Sequence, residues 1–163
     1  MKLTFERLGK WLPVPVVVMD RMPGRLIGLS LGVFVVVRSD FAADRPTIVH
    51  ELEHCRQFWK GGMVLHMVRY YISRDYRLKA ELEAFRAEIE ACSPLHRPLR
   101  LEESARVLAT CYELDLDVDF FRRVLSDPLF GPRGIDVHAH AHSEDTASIH
   151  LSPVAARSES RSG

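Results

Sequence analysis

The chain has 163 residues, 47% of them hydrophobic and 27% charged, and its 22 Lys and Arg are balanced by 22 Asp and Glu. That length suits one domain with a core that needs no staples, and zero net charge leaves no field to recruit nucleic acid and no acidic block to act as a solvating tail. The three cysteines, Cys55, Cys92 and Cys111, form no CxxC pair, which argues against a zinc ribbon or a disulfide framework and predicts reduced thiols in a cytoplasmic protein.

Lys2, Arg7 and Lys10 precede an apolar run over residues 11–19. Pro13 and Pro15 interrupt it and no small-residue cleavage site follows, so a signal peptide is not expected. Residues 26–37 are too few to span a bilayer, and no membrane anchor is expected. The β-branched runs at 14–19 and 31–37, bounded by Pro and Gly, predict two or three short strands, with Met22-Pro23-Gly24 as a turn.

A helical zone follows, over residues 46–125. Asp44 is placed as an N-cap and Pro46 falls where an early helical position tolerates a missing N–H. Ile48, Leu52, Cys55 and Trp59 recur at helical spacing as a buried stripe, and Gly61-Gly62 ends the helix. Residues 63–71 form a second apolar segment. A further helix is predicted over 76–92 with Leu78, Leu82, Phe85 and Ile89 inward, then breaks at Pro94 and Pro98. Two short amphipathic helices are predicted over 102–113 and 119–125, the second capped by Asp117. Beyond Gly131 large apolar residues thin out, so the domain is set at 1–130 and residues 131–163 are predicted to be a disordered tail. The tail's His138, His140, His142 and His150 fit a low-complexity segment able to bind metal adventitiously.

The chemistry concentrates at His50-Glu51-Leu52-Glu53-His54. An HExxH run on a helix sets two imidazoles one turn apart with a carboxylate beside them, the arrangement that holds Zn²⁺ and activates water. His50 and His54 fall roughly 160° and 120° from the apolar stripe, so the helix can bury one side and present both rings on another. In this reading His50 and His54 are ligands and Glu51 is the general base. A catalytic zinc generally takes three protein ligands, and Glu81 and Glu83 are the downstream candidates. Arg56 and Gln57 are expected at solvent or the cleft rim, and Cys55 packs as a thiol on the apolar stripe.

A HELxHxRQ helix followed by a helical ExEA segment resembles the gluzincin branch of the zincin metallopeptidases, and most of all the minimal zincin-like domains of bacteria and phages. The residues that carry the resemblance are His50-Glu51-Leu52-Glu53-His54-Cys55-Arg56-Gln57 and Glu81-Leu82-Glu83-Ala84, within residues 33–90. The resemblance implies an α+β fold, with a small N-terminal sheet packed on the helical zone, a bound Zn²⁺, and a peptide or protein substrate. It further implies a strand beside the motif helix to which an extended substrate adds, for which residues 33–37 are the candidate. The register of the ExxAD families selects Glu81, whereas the Glu-Ala register of other members selects Glu83. An angle of about 60° from the buried stripe, against about 140° for Glu83, favours Glu81, and Glu81 is taken as the third ligand. The aspartate that supports a ligand histidine in such families is Phe85 here, leaving Glu88 or Asp75 to substitute. Tyr70, Tyr71, Tyr76 and His66 are candidate oxyanion donors, each more readily explained by packing and none assigned to the site.

The sequence thus predicts a zinc-dependent hydrolase, foremost a metallopeptidase. Its rivals are a non-catalytic zincin-like binding module and a hydrolase of a non-peptide amide. Oligomeric state is not encoded in any visible pattern.

Overall fold

In a computed structural model, residues 2–8, 12–24, 26–111 and 117–127 are described. The predicted tail, with its histidine run, lies outside them. The architecture is α+β: four strands, β1 (Lys2–Leu8), β2 (Leu12–Met19), β3 (Gly28–Ser30) and β4 (Val35–Arg38), precede five helices. These are α1 (Arg45–Lys60), α2 (Met63–Ile72), α3 (Arg74–Ala91), α4 (Arg97–Cys111) and α5 (Val118–Ser126).

The sheet has the order β1-β2-β4-β3. β1 runs antiparallel to β2, β2 parallel to β4, and β3 antiparallel to β4. Alternation along β2 sends Val14, Val16 and Val18 inward, as a period of two requires. They meet Val35 and Val37 of β4 and Ile48, Leu52 and Cys55 of α1 in one buried cluster. Pro13 and Pro15 lie before Val16, where pairing with β4 begins, so their missing N–H groups fall where β2 has one neighbour only. A second cluster joins Leu78, Leu82 and Ile89 of α3 to Ala105 and Leu108 of α4 and Phe121, Val124 and Leu125 of α5. The helix α1 stands between the two clusters, packed on the sheet by one face and on α3 by another.

Several sequence expectations change. Residues 2–8 form a strand whose charged Lys2, Glu6 and Arg7 break up the apolar pattern. The 31–37 segment is not one strand. Leu31 N–H donates to Phe34 O at 3.0 Å and Gly32 has φ of 79°, so a tight turn separates β3 from β4. A side chain at Gly32 would also strike the Phe58 ring, 2.5 Å from the position of a Cβ. As a result β4 is an interior strand with neighbours on both sides, and the edge beside α1 is β3. An extended substrate therefore has no free edge at residues 33–37.

Among the helices, α4 begins at Arg97, earlier than expected, because Pro98 sits in its first turn where a proline is tolerated. The Trp59 end of the α1 stripe is exposed. Asp44 holds the N-cap position without capping, its carboxylate accepting instead from Thr47 and Arg100. Asp117 does cap α5, accepting from Phe120 N–H at 2.6 Å. Cys55 and Cys92 are buried free thiols. Among the described residues no helix is long and apolar enough to cross a membrane.

Two leucines of α4 test the packing. Leu108 is fully buried and Leu99 is 62% exposed. Leu108→Ala should cost about 2–5 kcal/mol and Leu99→Ala less than about 0.5 kcal/mol, read from urea denaturation midpoints. Equal effects would contradict the placement of α4.

Candidate metal centre

The helical period sets His50 and His54 on the flank of α1 that faces α3. Their rings lie 5.0 Å apart, edge to face. From α3, Glu81 reaches in between them. Its Oε2 is 3.6 Å from His50 Nε2 and its Oε1 is 3.5 Å from His54 Nε2. Single ligand atoms of His50, His54 and Glu81 all lie within 4.8 Å of one another, so the three could hold a metal ion. A tetrahedral ion with bonds of about 2.0–2.1 Å sets its ligands about 3.3–3.4 Å apart, close to the observed separations.

The far side of each ring decides whether those nitrogens can serve as ligands. His50 Nδ1 is 2.9 Å from Glu88 Oε2, and an ionised carboxylate only accepts, so Nδ1 carries the proton. His54 Nδ1 is 3.0 Å from Gln57 Oε1. The Gln57 amide is oriented by its NH₂ group, which donates to Ala80 O at 2.9 Å and Glu83 Oε2 at 3.2 Å. Its oxygen is thereby left to accept from His54. Both Nε2 atoms are consequently directed at the centre and present lone pairs there once their protons leave, so the donor set fits a divalent ion.

Glu88 is held in turn. Its Oε1 is 3.2 Å from Arg100 of α4, which also pairs with Asp44 at 3.0 Å. Tyr70 of α2 donates to Glu81 Oε1, and Phe85 packs edge-on against His50 at 4.6 Å. Glu51, buried like Glu81, points toward β3. There a Cβ at Gly28 would stand 2.4 Å from its Oε1, so only glycine leaves room for the carboxylate as it is placed.

The charges reinforce one another. Burial alone would lower the His50 pKa, but the hydrogen bonds with Glu81 and Glu88 overcome it and raise the ring to about 10. Burial likewise opposes the charge on His54, and its bond with Glu81 raises it. Glu81 responds in the opposite sense: burial pushes it up, yet the two rings hold its carboxyl far below the usual range. Burial lifts Glu51 above the ordinary glutamate value, with His50 and His54 offsetting part of the rise. Tyr70 is pushed up by burial and by the charge of Glu81, which keeps its phenol protonated.

The structure therefore brings His50, His54 and Glu81 together with Glu51 alongside. Glu83 points away, to Gln57 and Arg56. Gln57, expected at the rim, is 7% exposed and positions His54. Glu88 occupies the supporting role vacant at Phe85. Its signal was present in the sequence, since a residue seven beyond Glu81 returns to the same helical face. Tyr70 is the candidate donor that reaches the triad, whereas Tyr76 bonds to His66 at 3.0 Å and Tyr71 is exposed.

Elemental analysis should find about one divalent ion per domain, lost in Glu81→Ala and kept in Glu83→Ala. Glu88→Gln and Gln57→Leu should each weaken the ion by about 10–100-fold. Binding must also expel the ring protons. Because the His50 pKa is raised, protons compete throughout the neutral range, and apparent affinity should climb with pH by up to about tenfold per unit between about pH 6 and 9. A flat profile by calorimetry would contradict the paired state of His50.

Comparison of the chain with protein-family models, with curated proteins and with solved structures finds no match. The functional reading rests on the side chains themselves.

Proposed function

We propose that this chain is a zinc-dependent hydrolase, most simply a metallopeptidase acting on a peptide or protein. The observation that carries the reading is the convergence of two Nε2 atoms and one carboxylate, with each Nδ1 proton given to a fixed acceptor. The likeness of the HExxH helix and the later Glu81 to zincins supports it, as does the His/His/Glu donor set, which suits zinc. Buried free thiols at Cys55 and Cys92 accord with a reducing, cytoplasmic setting.

A bound zinc ion supplies Lewis acidity, polarising a carbonyl and lowering the pKa of water. Glu51 takes the proton of the attacking water and returns it to the leaving amine. Burial raises its pKa, and a carboxyl that holds a proton more firmly is the better acid for that return. Tyr70, kept neutral, holds the Glu81 carboxylate by donating its one O–H to Oε1 and so fixes the third ligand. An extended peptide would add to the outer edge of β3, in line with Gly28 and therefore with the Glu51 carboxylate.

Glu51→Gln should retain the metal and lose turnover by about 10²–10⁴-fold on a peptide library. Gly28→Ala should act the same way at a remove, because its methyl group displaces the Glu51 carboxylate while leaving the three ligands alone. Its circular dichroism and metal content should match wild type. Undiminished turnover in Glu51→Gln would remove the general-base role. A metal-loaded wild type inert toward peptides and peptidoglycan amides alike would favour a binding module.

A further inference from the structure

The helix α2 is built inside out. Its buried residue is His66, 5% exposed and hydrogen-bonded to Tyr76. At about 100° per residue, Met67, Tyr71, Val64, Val68, Ile72 and Leu65 cover an arc of about 160° opposite it. All six are exposed, Val64 at 76% and Ile72 at 80%. On the inner side, Phe58 lies 6.1 Å from the His66 ring and 6.0 Å from exposed Trp59. The β3–β4 turn, with Leu31 and Val33 exposed, packs on Phe58 through Gly32. An exposed apolar helical face of six residues marks an interaction site.

Charge selects the occupant. From His54 to Arg74 the sequence carries Arg56, Lys60, Arg69 and Arg74 and no Asp or Glu, in a chain whose charges balance overall, and of these Arg56 is paired with Glu53 and Glu83. Exposed Lys60 ends the helix before α2, and exposed Arg69 lies about 40° beyond the edge of the apolar arc. Cations at the rim of an apolar helical face are placed to meet phosphate headgroups while the face enters the acyl boundary. A second copy docked face to face would instead bring Lys60 and Arg69 up against cations of its own. We infer that the outward face of α2 docks this protein on an anionic lipid surface. At ten residues the helix is about 15 Å long, so it lies in the interface and does not span. Tyr70 projects from the inner side of α2 onto Glu81, so docking holds the metal centre close beneath the bilayer surface. The docking does not require that the centre hydrolyse anything.

Flotation of the full chain with phosphatidylcholine vesicles, with and without about 30% phosphatidylglycerol, tests it. The wild type should float with the anionic vesicles, with Trp fluorescence shifted to the blue, and at least about tenfold less with neutral vesicles or at about 0.5 M salt. The double substitution Val64→Asp/Ile72→Asp alters exposed side chains only and should keep its circular dichroism while losing binding about tenfold or more. Lys60→Glu/Arg69→Glu should lose the preference for anionic lipid. Glu51→Gln should float like wild type, which separates this inference from the hydrolase reading. Failure to bind any vesicle, or equal binding by Val64→Asp/Ile72→Asp, overturns the inference. A dimer abolished by Val64→Asp/Ile72→Asp, without flotation of the wild type, would also overturn it and assign the face to a second copy.

Discussion

The protons on His50 and His54 Nδ1 are committed to Glu88 and Gln57, and the rest of the centre depends on that commitment. With those protons fixed, both Nε2 atoms converge on the space beside Glu81, and an ion that displaces their protons meets two neutral imidazoles and one carboxylate. If either acceptor were lost, a ring could turn its protonated nitrogen inward. The acceptors are fixed by structure further out: Gln57 by Ala80 O and Glu83, Glu88 by Arg100, and Arg100 by Asp44. Four segments, α1 and the residue that precedes it, α3 and α4, thus contribute to the aim of two lone pairs.

The fold supplies this register through the position of α1 between two hydrophobic clusters. Val14, Val16, Val35 and Val37 grip the Ile48-Leu52-Cys55 side of α1, while α3, held by α4 and α5 through Leu82, Leu108 and Phe121, closes on the histidine side. The burial that results raises the cost of every charge at the centre. It also makes the mutual stabilisation of the imidazoles and Glu81 strong enough to move their pKa values in opposite directions. A divalent ion that replaces the ring protons inherits a carboxylate already ionised.

Periodic features were legible in the sequence and relational ones were not. The helical spacing of Ile48, Leu52 and Cys55 and of Leu78, Leu82 and Ile89 located α1 and α3, and the angle of Glu81 from its stripe chose it over Glu83. The role of Gln57 was hidden because its partners, Ala80 and Glu83, come from a helix whose distance from α1 no local pattern encodes. Residues 2–8 were missed as a strand because only pairing with β2 makes sense of their mixed composition. Leu29 and Val35 fall in one apolar run, and the turn that divides them depends on Gly32 fitting against Phe58, a contact 26 residues away in the chain. The outward apolar face of α2 was legible as hydrophobicity over 63–71 but not as exposure, since a buried helix would carry the same residues.

Anomalous diffraction from crystals grown with zinc, recorded at the zinc edge, tests the central claim most directly. The account predicts a peak about 2.0–2.2 Å from His50 Nε2, His54 Nε2 and a Glu81 oxygen, with both Nδ1 hydrogen bonds kept. A peak found only at His138, His140 or His142, with the three side chains around Glu81 still paired with one another, would contradict it.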